Sequence, residues 1–404
     1  MENVFDVLSD RGFIKQTTGD EEIREQFANK KITFYIGFDP TADSLHIGHL
    51  LQIIVIRHMM NHGHKPILLI GGGTAKVGDP SGRTDMRSMM SDEIIMENSE
   101  KFARLFEKYI DFNKAKVVNN ADWLLKLNYI DFLRDIGKSF SVNKMLAAEC
   151  FKSRLEKGLS FLEFNYMLMQ AYDFLMLFEK YNCNVQLGGN DQWSNILAGV
   201  DLIRRVKSNK AYGMTFTLLE TKDGVKMGKT MNGALWLDEN KTSAYEFFQY
   251  FRNINDVDVE NCLNLLTFLP LDEIKELLKG DINKAKISLG YEVTKFVHGK
   301  EKASEALSAA EALFSNGNDL NNVPKTELNI KEIVQGIGLA ALMTKTSLTK
   351  SNGEAMRAIE QGGVSINNEK VSDKRIIINK KSFDNGKLLI KKGKKNFHMV
   401  ELKE

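Results

Sequence analysis

Residues 32–49 read Ile-Thr-Phe-Tyr-Ile-Gly-Phe-Asp-Pro-Thr-Ala-Asp-Ser-Leu-His-Ile-Gly-His. The first seven of these residues are mostly β-branched or aromatic and end at an Asp-Pro pair, which predicts a buried strand. Residues 47–62 are rich in Leu, Ile and Met with no breaker after Gly48, and so they predict a helix. A second apolar run at 66–70 then meets three glycines. A strand–helix–strand unit of this size requires parallel pairing and a right-handed crossover.

Further candidate strands follow at 116–118, 184–187 and 214–219, and helical patterns separate them. Such alternation predicts an α/β fold with a Rossmann-like parallel sheet, which we expect to form a domain over residues 1–225. Residues 122–158 are helical in pattern and long for a connection between neighbouring strands. We therefore expect part of this segment to be a helical insertion.

The second half of the chain is organised differently. Residues 226–242 form a connector that begins with lysines and glycines, and we expect it to be mobile. Residues 243–320 contain only helical patterns, which predicts an all-helical domain. A polar, turn-forming stretch at 316–328 then serves as a linker.

The C-terminal segment, residues 331–404, is the basic part of the chain. It carries 15 Lys and Arg against 8 Asp and Glu, a balance of +7, whereas residues 1–330 carry 40 against 45, a balance of −5. Apolar residues are interleaved with its lysines, so we expect a small folded α+β domain. A basic folded domain favours a nucleic-acid partner, and the alternative is a solvated lysine-rich face.

The overall composition is that of a soluble globular protein. Of the 404 residues, 43% are hydrophobic and 27% are charged, which excludes a disordered chain. No window approaches the ~18 consecutive apolar residues of a membrane span, and the first 20 residues lack a secretion signal pattern. Cys150, Cys183 and Cys262 are too far apart for a disulfide framework or a zinc spacing. We expect a cytoplasmic protein with no metal site and no membrane partner.

His46-Ile47-Gly48-His49 stands where the first strand gives way to the first helix. The N-terminus of a helix presents free N–H groups and a positive dipole end, and open α/β sheets bind phosphate there. The two imidazoles are three residues apart and share a helix face, and Gly48 allows a nucleotide to approach the backbone. The alternative is a pair of surface or capping histidines.

Gly224-Val225-Lys226-Met227-Gly228-Lys229-Thr230-Met231-Asn232-Gly233 follows the last candidate strand. Glycines, two lysines three apart and a hydroxyl make a flexible loop that can close over a polyphosphate. The Walker pattern does not match, because it requires four residues between its first glycine and the Gly-Lys-Ser/Thr, and only three separate Gly224 from Gly228. A solvated basic loop is the alternative reading.

A polar stripe runs along the helical segment 161–180. Tyr166, Gln170 and Asp173 are spaced i, i+4, i+7 on an otherwise apolar helix. A carboxylate on such a helix is costly to bury without a partner, so the stripe faces either a polar pocket or solvent.

Together these motifs resemble a class I aminoacyl-tRNA synthetase, in which a His-x-Gly-His element and a Lys-Met-Ser-Lys-Ser-like loop occupy the same positions. The resemblance is to bacterial-type tyrosyl-tRNA synthetases in particular, and it spans essentially the whole chain. It rests on three strings, namely Tyr35-Ile36-Gly37-Phe38-Asp39-Pro40-Thr41-Ala42-Asp43-Ser44-Leu45-His46, Gly78-Asp79-Pro80-Ser81-Gly82 and Gln186-Leu187-Gly188-Gly189-Asn190-Asp191-Gln192-Trp193.

The resemblance implies a tyrosine site. Tyr166, Gln170 and Asp79 would hold the substrate α-ammonium, and Tyr35 and Asp173 would hold its phenol hydroxyl. Gln192 would contact the substrate carboxylate or the α-phosphate. A site that hydrogen-bonds the phenol rejects phenylalanine, because its polar groups would be left unpaired; tyrosyl-tRNA synthetase is itself the standard example of that rule.

The resemblance also implies an ATP site and a two-step reaction. Tyrosine would attack the α-phosphorus of Mg-ATP, release pyrophosphate, and then pass to the 3′ end of tRNA-Tyr, with no tightly bound cofactor. The residues implied for ATP are Gly37, Asp39, Thr41, His46, Gly48, His49, Asp191 and Lys229. Those implied for catalysis are His46, His49, Lys226, Lys229, Thr230, Thr41, Arg83 and Arg87.

The family further implies a homodimer, with the helical insertion at the subunit interface, and an S4-like RNA-binding domain over 331–404. The chain departs from the family pattern at Gly228 and Thr230, which replace serines, at Ile36, which lacks a polar group, and at Arg83, which replaces a lysine. Two alternatives stay open at this point: another enzyme of the superfamily, such as a tryptophanyl-tRNA synthetase, or an RNA-binding protein derived from a synthetase.

Overall fold

The computed structural model describes residues 2–81, 90–230, 233–312, 324–333, 336–367, 369–384, 386–393 and 396–403. The helices are α1 Val4–Asp10, α2 Asp20–Asn29, α3 Ile47–Asn61, α4 Asp92–Glu107, α5 Ala121–Leu124, α6 Tyr129–Asp135, α7 Val142–Leu146, α8 Glu149–Lys157, α9 Phe161–Tyr181, α10 Trp193–Lys207, α11 Ala244–Arg252, α12 Val259–Leu266, α13 Leu271–Lys279, α14 Ile282–His298, α15 Lys300–Ala312, α16 Ile330–Ile333, α17 Leu339–Lys345 and α18 Asn352–Glu360. Within these described ranges, no helix is long and apolar enough to cross a membrane.

The strands are β1 Ile14–Thr17, β2 Thr33–Phe38, β3 Lys65–Ile70, β4 Lys116–Asn119, β5 Cys183–Gly189, β6 Tyr212–Phe216, β7 Lys229–Thr230, β8 Gly233–Ala234, β9 Lys325–Asn329, β10 Ile337–Gly338, β11 Val364–Ile366, β12 Glu369–Val371, β13 Ile377–Ile378, β14 Lys387–Lys392 and β15 Asn396–Lys403. The chain divides into two compact units. The first comprises Met1–Gly228, Trp236–Asp238 and Asp256–Lys279, and the second comprises the remaining residues.

The first unit is built on a six-stranded sheet in the order β1-β6-β5-β2-β3-β4. All neighbours pair in parallel except β1 and β6, which are antiparallel. The predicted strand–helix–strand unit is thus confirmed as β2-α3-β3, with Tyr35 opposite Ile67. After β4 the chain returns to the other side of β2, and this reversal of strand order opens a crevice at the carboxyl ends of β2 and β5.

Burial accounts for the strand and helix patterns that the sequence showed. Phe34, Ile36 and Leu68 are fully buried because helices cover both faces of a parallel sheet. The predicted strand at 214–219 ends at Phe216. The antiparallel edge strand β1 was not predicted, because its four residues carry only one large apolar side chain.

The second unit contains α11, α14 and α15 together with the basic C-terminal segment. The helical pattern within residues 243–320 does not show the break at which α14 ends at His298 and α15 begins at Lys300. Gly299 separates them with a φ of 94°, which side-chain-bearing residues rarely adopt. The sequence also grouped 243–320 as one helical domain, but α12 and α13 belong to the first unit.

The C-terminal segment folds as an α+β domain, as the sequence indicated. Its sheet has the order β12-β11-β14-β15-β9, with β9 and β15 parallel and the other pairs antiparallel. Strand β9 precedes residue 331, so the domain begins within the stretch that the sequence assigned to the linker. Its core contains Leu342 of α17 and Ile359 of α18, together with Leu388 and Val400 of the sheet. The lysine-rich stretch is therefore partly strand β14, whose three central residues Leu388, Leu389 and Ile390 are buried.

Candidate functional site

A cavity of about 650 Å³ lies at the carboxyl ends of the parallel strands in the first unit. Asp39 follows β2, Gly71 follows β3 and Asn120 follows β4, while Gly188 and Gly189 end β5. The predicted residues brought together around it are Tyr35, Gly37, Asp39, Thr41, His46, His49, Asp79, Tyr166, Gln170, Asp173, Asp191, Gln192 and Lys226. Gly48 lies between the two histidines at the start of α3.

The two histidines cap helix α3. The Nδ1 atom of His46 accepts a hydrogen bond from the Gly48 N–H at 3.0 Å, and Nδ1 of His49 accepts one from the His46 N–H at 3.0 Å. These bonds satisfy donors that the first turn of a helix leaves free. A Cβ at Gly48 would lie 2.8 Å from Cε1 of His46, so a larger residue would displace that ring.

Capping fixes the protonation of both rings. Because each Nδ1 accepts a hydrogen bond, the geometry assigns the ring proton to Nε2, which leaves an N–H donor on each imidazole. Burial lowers the pKa of His46, and burial together with the neighbouring His46 lowers the pKa of His49 well below its usual value. Both rings are therefore neutral donors at pH 7, and they line the cavity.

Asp173 lies at the deep end of the cavity and is 1% exposed. Its carboxylate accepts hydrogen bonds from Nδ2 of Asn120 at 2.9 Å and from Nε1 of Trp123 at 2.7 Å. Burial nevertheless raises the pKa of Asp173 to about 8, outweighing these two donors. The stripe predicted on α9 thus faces a pocket and not solvent.

Tyr35 reaches the same end of the cavity from β2. Its hydroxyl is buried and has no hydrogen-bond partner within the part of the chain that the structure describes. The Oε1 atom of Gln186, whose backbone lies beside Tyr35 in the sheet, is also buried without a partner there. Unpaired buried polar atoms are costly, so these two groups point to a polar ligand between them and Asp173.

Asp39 lines the cavity and accepts two side-chain hydrogen bonds there. Its Oδ2 accepts from the hydroxyl of Tyr166 at 2.9 Å, and its Oδ1 accepts from the hydroxyl of Thr74 at 2.8 Å. A Cβ at Gly71 would lie 2.0 Å from Oδ1 of Asp39, which makes glycine necessary at that position. Burial, followed by the charge of Asp39, raises the pKa of Tyr166 well above its usual value, so its hydroxyl remains a donor.

A third carboxylate that lines the cavity is that of Asp79. Its Oδ2 accepts from Nε2 of Gln192 at 2.6 Å, and its Oδ1 accepts from the Ser81 N–H at 2.8 Å. Burial and the charge of Asp79 raise the pKa of Asp191, while the charge of Lys226 opposes this increase. Four carboxyl groups, those of Asp39, Asp79, Asp173 and Asp191, and one lysine thus line a cavity suited to a ligand that carries both a cation and an anion.

Not every predicted residue can be located. Arg83 and Arg87 lie outside the described residues, and the side chains of Lys229 and Thr230 are not described, although their backbone forms strand β7. Conversely, the sequence analysis missed Thr74, Asn120, Trp123 and Gln186. Asn120 could have been found from its position just beyond a predicted strand, where such folds bind ligands.

A Rossmann-like sheet whose switch point combines a His-x-Gly-His helix start with a polar, amino-acid-sized pocket is typical of class I aminoacyl-tRNA synthetases. Comparison with known proteins agrees. Residues 27–315 match the family of tRNA synthetases class I (W and Y), and residues 317–400 match the tyrosine–tRNA ligase SYY-like C-terminal domain. The chain belongs to this class I tRNA synthetase family.

Relatives match along the whole chain. The tyrosine–tRNA ligase of Acetivibrio thermocellus is 58% identical over 407 residues, covering 100% of both chains, and that of Clostridium kluyveri is 57% identical over 408 residues with the same coverage. The crystal structure of a C-terminally truncated Aspergillus nidulans mitochondrial tyrosyl-tRNA synthetase, 31% identical, covers 78% of this chain and 95% of its own with a TM-score of 0.70.

Proposed function

We propose that this chain is a tyrosine–tRNA ligase, which activates L-tyrosine with ATP to tyrosyl-adenylate and transfers tyrosine to the 3′ end of tRNA-Tyr. The observation that carries the proposal is the deep end of the cavity. Asp173 is held there by two donors, and the hydroxyl of Tyr35, which has no hydrogen-bond partner among the described residues, lies in the same pocket. A substrate phenol would satisfy both groups, and phenylalanine would leave them unpaired.

The polar groups along the cavity support an orientation for tyrosine. With the phenol at Asp173, the α-ammonium would meet Asp79, Gln170 and Tyr166, since an ammonium group pairs with a carboxylate and with oxygen acceptors. Gln192, which already donates to Asp79, would then lie near the carboxylate of the substrate. The tyrosine carboxylate would thus point to the end of the cavity that His46 and His49 line.

The chemical step would depend on positioning and charge. A carboxylate is ionised at neutral pH, so attack on the α-phosphorus needs no general base, and pyrophosphate leaves in line. His46 and His49 would donate from Nε2 to the polyphosphate, with Thr41 beside them, while Gly37, Asp39 and Asp191 would border the ribose. Lys226 and Lys229, with Thr230, Arg83 and Arg87, would meet the charge that develops on pyrophosphate.

Mg²⁺ would enter as part of the substrate Mg-ATP, since phosphate oxygens commonly supply its ligands. No cofactor would be tightly bound. In the second step, the C-terminal domain would bind tRNA-Tyr through its basic surface, in the manner of an S4-like domain. All of these substrates are available in the cytoplasm, where we place the protein.

A homodimer is supported by exposed apolar side chains in and next to the helical insertion. Single exposed apolar residues are ordinary, but clusters of them mark interaction surfaces. Phe161 is 68% exposed and Ile130 is 66% exposed. Others in the same segment are Leu125, Tyr129, Val142, Leu146, Leu155 and Leu162. Sedimentation equilibrium of the wild type and of Phe161→Asp tests the dimer, which the substitution should dissociate.

Amino-acid-dependent exchange between ATP and pyrophosphate tests the function. Exchange should require tyrosine and should be negligible with tryptophan or phenylalanine. Exchange that responds to tryptophan would identify a different enzyme of the superfamily. The absence of exchange with every amino acid, together with binding of tRNA, would identify a protein that only binds RNA.

A further inference from the structure

The segment that carries Lys226 is a hairpin in the first unit. Residues 219–227, which we call the lysine hairpin, are closed by the Met227 N–H donating to the Leu219 carbonyl at 2.9 Å and by the Thr221 N–H donating to the Val225 carbonyl at 2.8 Å. A turn at residues 221–224 is closed by the Gly224 N–H donating to the Thr221 carbonyl. The hairpin places Lys226 at the cavity.

Helix α12 holds this hairpin at two points. The carboxylate of Asp258 accepts from the Lys222 N–H at 2.7 Å, and the thiol of Cys262 lies 3.7 Å from the sulfur of Met227. Asp258 and Cys262 are four residues apart, so they lie on one face of the helix. The two hairpin residues that they contact lie on either side of Lys226 along the chain.

The side chain of Asp258 does not cap its own helix, which is the usual role of an aspartate just before a helix. It stands at the N-cap of α12, where an aspartate normally accepts from the first turn of its own helix, but it makes no such side-chain cap. Its carboxylate accepts from the hairpin, although the residue is only 4% exposed. The carboxylate is therefore directed to the hairpin and makes no side-chain cap on α12.

The helix is itself firmly held. The guanidinium of Arg11 donates to the carbonyls of Asn264, Thr267 and Leu269, at 3.1, 3.0 and 2.5 Å, and so satisfies the C-terminal end of α12. Helix α12 also packs on α3, the helix that begins with the two capping histidines. The hairpin is thus attached to the same helix layer that positions His46 and His49.

We propose that Asp258 is a positioning residue for tyrosine activation, acting by holding the Lys222 N–H and thereby fixing the lysine hairpin, and Lys226 with it, on helix α12. This inference rests on the proposed function. Lys226 is the first residue of the segment 226–242 that the sequence predicts to be mobile. Holding this end of the segment in place reduces the ordering that closure over the polyphosphate would require, and so lowers the barrier.

Replacement of Lys222 tests the contact without touching the buried helix. Lys222 is exposed and is the second residue of the turn, a position where proline is favoured. Lys222→Pro removes the N–H that Asp258 accepts, whereas the matched control Lys222→Ala removes the side chain and keeps the N–H. The rate constant of tyrosyl-adenylate formation and the dissociation constant of tyrosine are measured for both variants and the wild type.

We expect Lys222→Pro to slow adenylate formation at least tenfold, while Lys222→Ala stays within twofold of the wild type and tyrosine affinity changes in neither. Equal rates for the two variants would overturn the proposal, and so would a loss of tyrosine affinity that matches the loss of rate. The wild type in the same assay reports the function separately, because it must form adenylate with tyrosine whichever result the variants give.

A second set of variants addresses the carboxylate. Asp258→Asn keeps an oxygen acceptor and should retain the rate within about threefold, whereas Asp258→Ala should match Lys222→Pro. Glu260→Ala is the control, because it removes an exposed carboxylate from the first turn of the same helix. A purely structural role would lower the melting temperature of Asp258→Ala and leave the rate of the folded fraction unchanged, which would overturn the proposal.

Discussion

At the residue scale, each histidine of the His-x-Gly-His element has two tasks on two different atoms. Nδ1 caps helix α3, and Nε2 remains a donor that lines the cavity. Because Nδ1 accepts a hydrogen bond at the start of the helix, the ring proton lies on Nε2. The local structure therefore determines which ring atom can donate to a ligand. Asp39 likewise uses both of its carboxylate oxygens. One accepts a hydrogen bond from Tyr166 on α9, and the other accepts one from Thr74, which follows β3.

The two tasks of His46 can be separated by substitution. His46→Asn keeps an acceptor for the Gly48 N–H but loses the Nε2 donor, whereas His46→Ala loses both. We expect both variants to slow adenylate formation at least tenfold with tyrosine affinity unchanged, since phosphate charge develops in the transition state. Only His46→Ala should also lose ~1 kcal/mol of unfolding free energy, the usual cost of a lost cap. Rapid-quench kinetics and urea unfolding measure the two effects.

Asp173 is expected to set the preference for tyrosine. Asp173→Ala should lower kcat/KM for tyrosine by an amount equivalent to ~2 kcal/mol, the scale of leaving a buried hydroxyl without its hydrogen-bond partner, and should narrow the preference for tyrosine over phenylalanine. Trp123→Phe removes one of the two donors that hold the carboxylate and should have a smaller effect of the same kind. Pyrophosphate exchange with both amino acids measures this, and unchanged discrimination in Asp173→Ala would contradict the assignment.

The residues that sequence analysis found and missed differ in a physical way. His46 with His49, and Tyr166 with Gln170 and Asp173, share one helix face, and such spacing is visible along the chain. Asn120 and Trp123 act on Asp173 from 53 and 50 residues away. A hydrogen bond across that separation depends on how the segment after β4, which includes α5, lies against α9, and no local pattern encodes this placement.

At the scale of elements, helix α3 begins at the cavity and has a buried histidine near its other end. His58 lies near its C-terminal end, 5% exposed, with its ring centroid 5.7 Å from that of Phe13 and 4.8 Å from that of Phe268. Burial, followed by the positive charge of Arg11, lowers the pKa of His58 to about 3. The histidine is therefore neutral in the folded protein under conditions where it is protonated in the unfolded chain.

This difference predicts an acid-dependent loss of stability. The unfolded chain binds a proton at His58 below pH 6.5 and the folded protein does not, so the unfolding free energy falls as the pH drops from 6.5 towards 3. The loss from this group between pH 6.5 and 5 is about 1.5 kcal/mol. Urea unfolding of His58→Leu should show a correspondingly shallower dependence, and parallel curves for both proteins would contradict the prediction.

The main elements were predictable where burial imposes a regular pattern. Strands β2 and β3 are apolar runs because helices cover the sheet, and α3 is recognisable from its length and lack of breakers. Strand β1 was missed because an antiparallel edge strand of four residues needs few apolar side chains. The break at Gly299 was missed because glycine is tolerated within helices, and only its positive φ reveals the end of α14.

At the scale of the whole chain, the cavity and the basic C-terminal segment belong to different units. Every described residue of the cavity belongs to the first unit, whereas the +7 balance of residues 331–404 lies in the second. The assignment of α12 and α13 to the first unit was not visible in sequence, because a helical pattern does not specify which core receives the helix. Amino-acid activation and tRNA binding should therefore be separable by truncation.

A chain that ends at Val323 tests this separation. It should retain tyrosine-dependent pyrophosphate exchange, since the cavity residues all precede that point, but it should charge tRNA-Tyr poorly. Each phosphate contact that is lost removes a released counterion, so tRNA affinity of the intact protein should fall more steeply with salt than that of the truncated one. Exchange, charging and filter binding between ~50 and ~200 mM salt measure these effects.

Two results would contradict this account in different ways. If truncation abolishes exchange and lowers the melting temperature, the basic domain supports the folding of the rest of the chain. If both exchange and charging survive, its positive charge is a solvated surface with no part in RNA binding. Substitution of Lys380 and Lys381 by Glu in the full chain provides a milder variant, because both side chains are exposed and lie outside the core of the domain. That variant should fold normally and reproduce the shallower salt dependence, since it removes phosphate contacts without removing the domain.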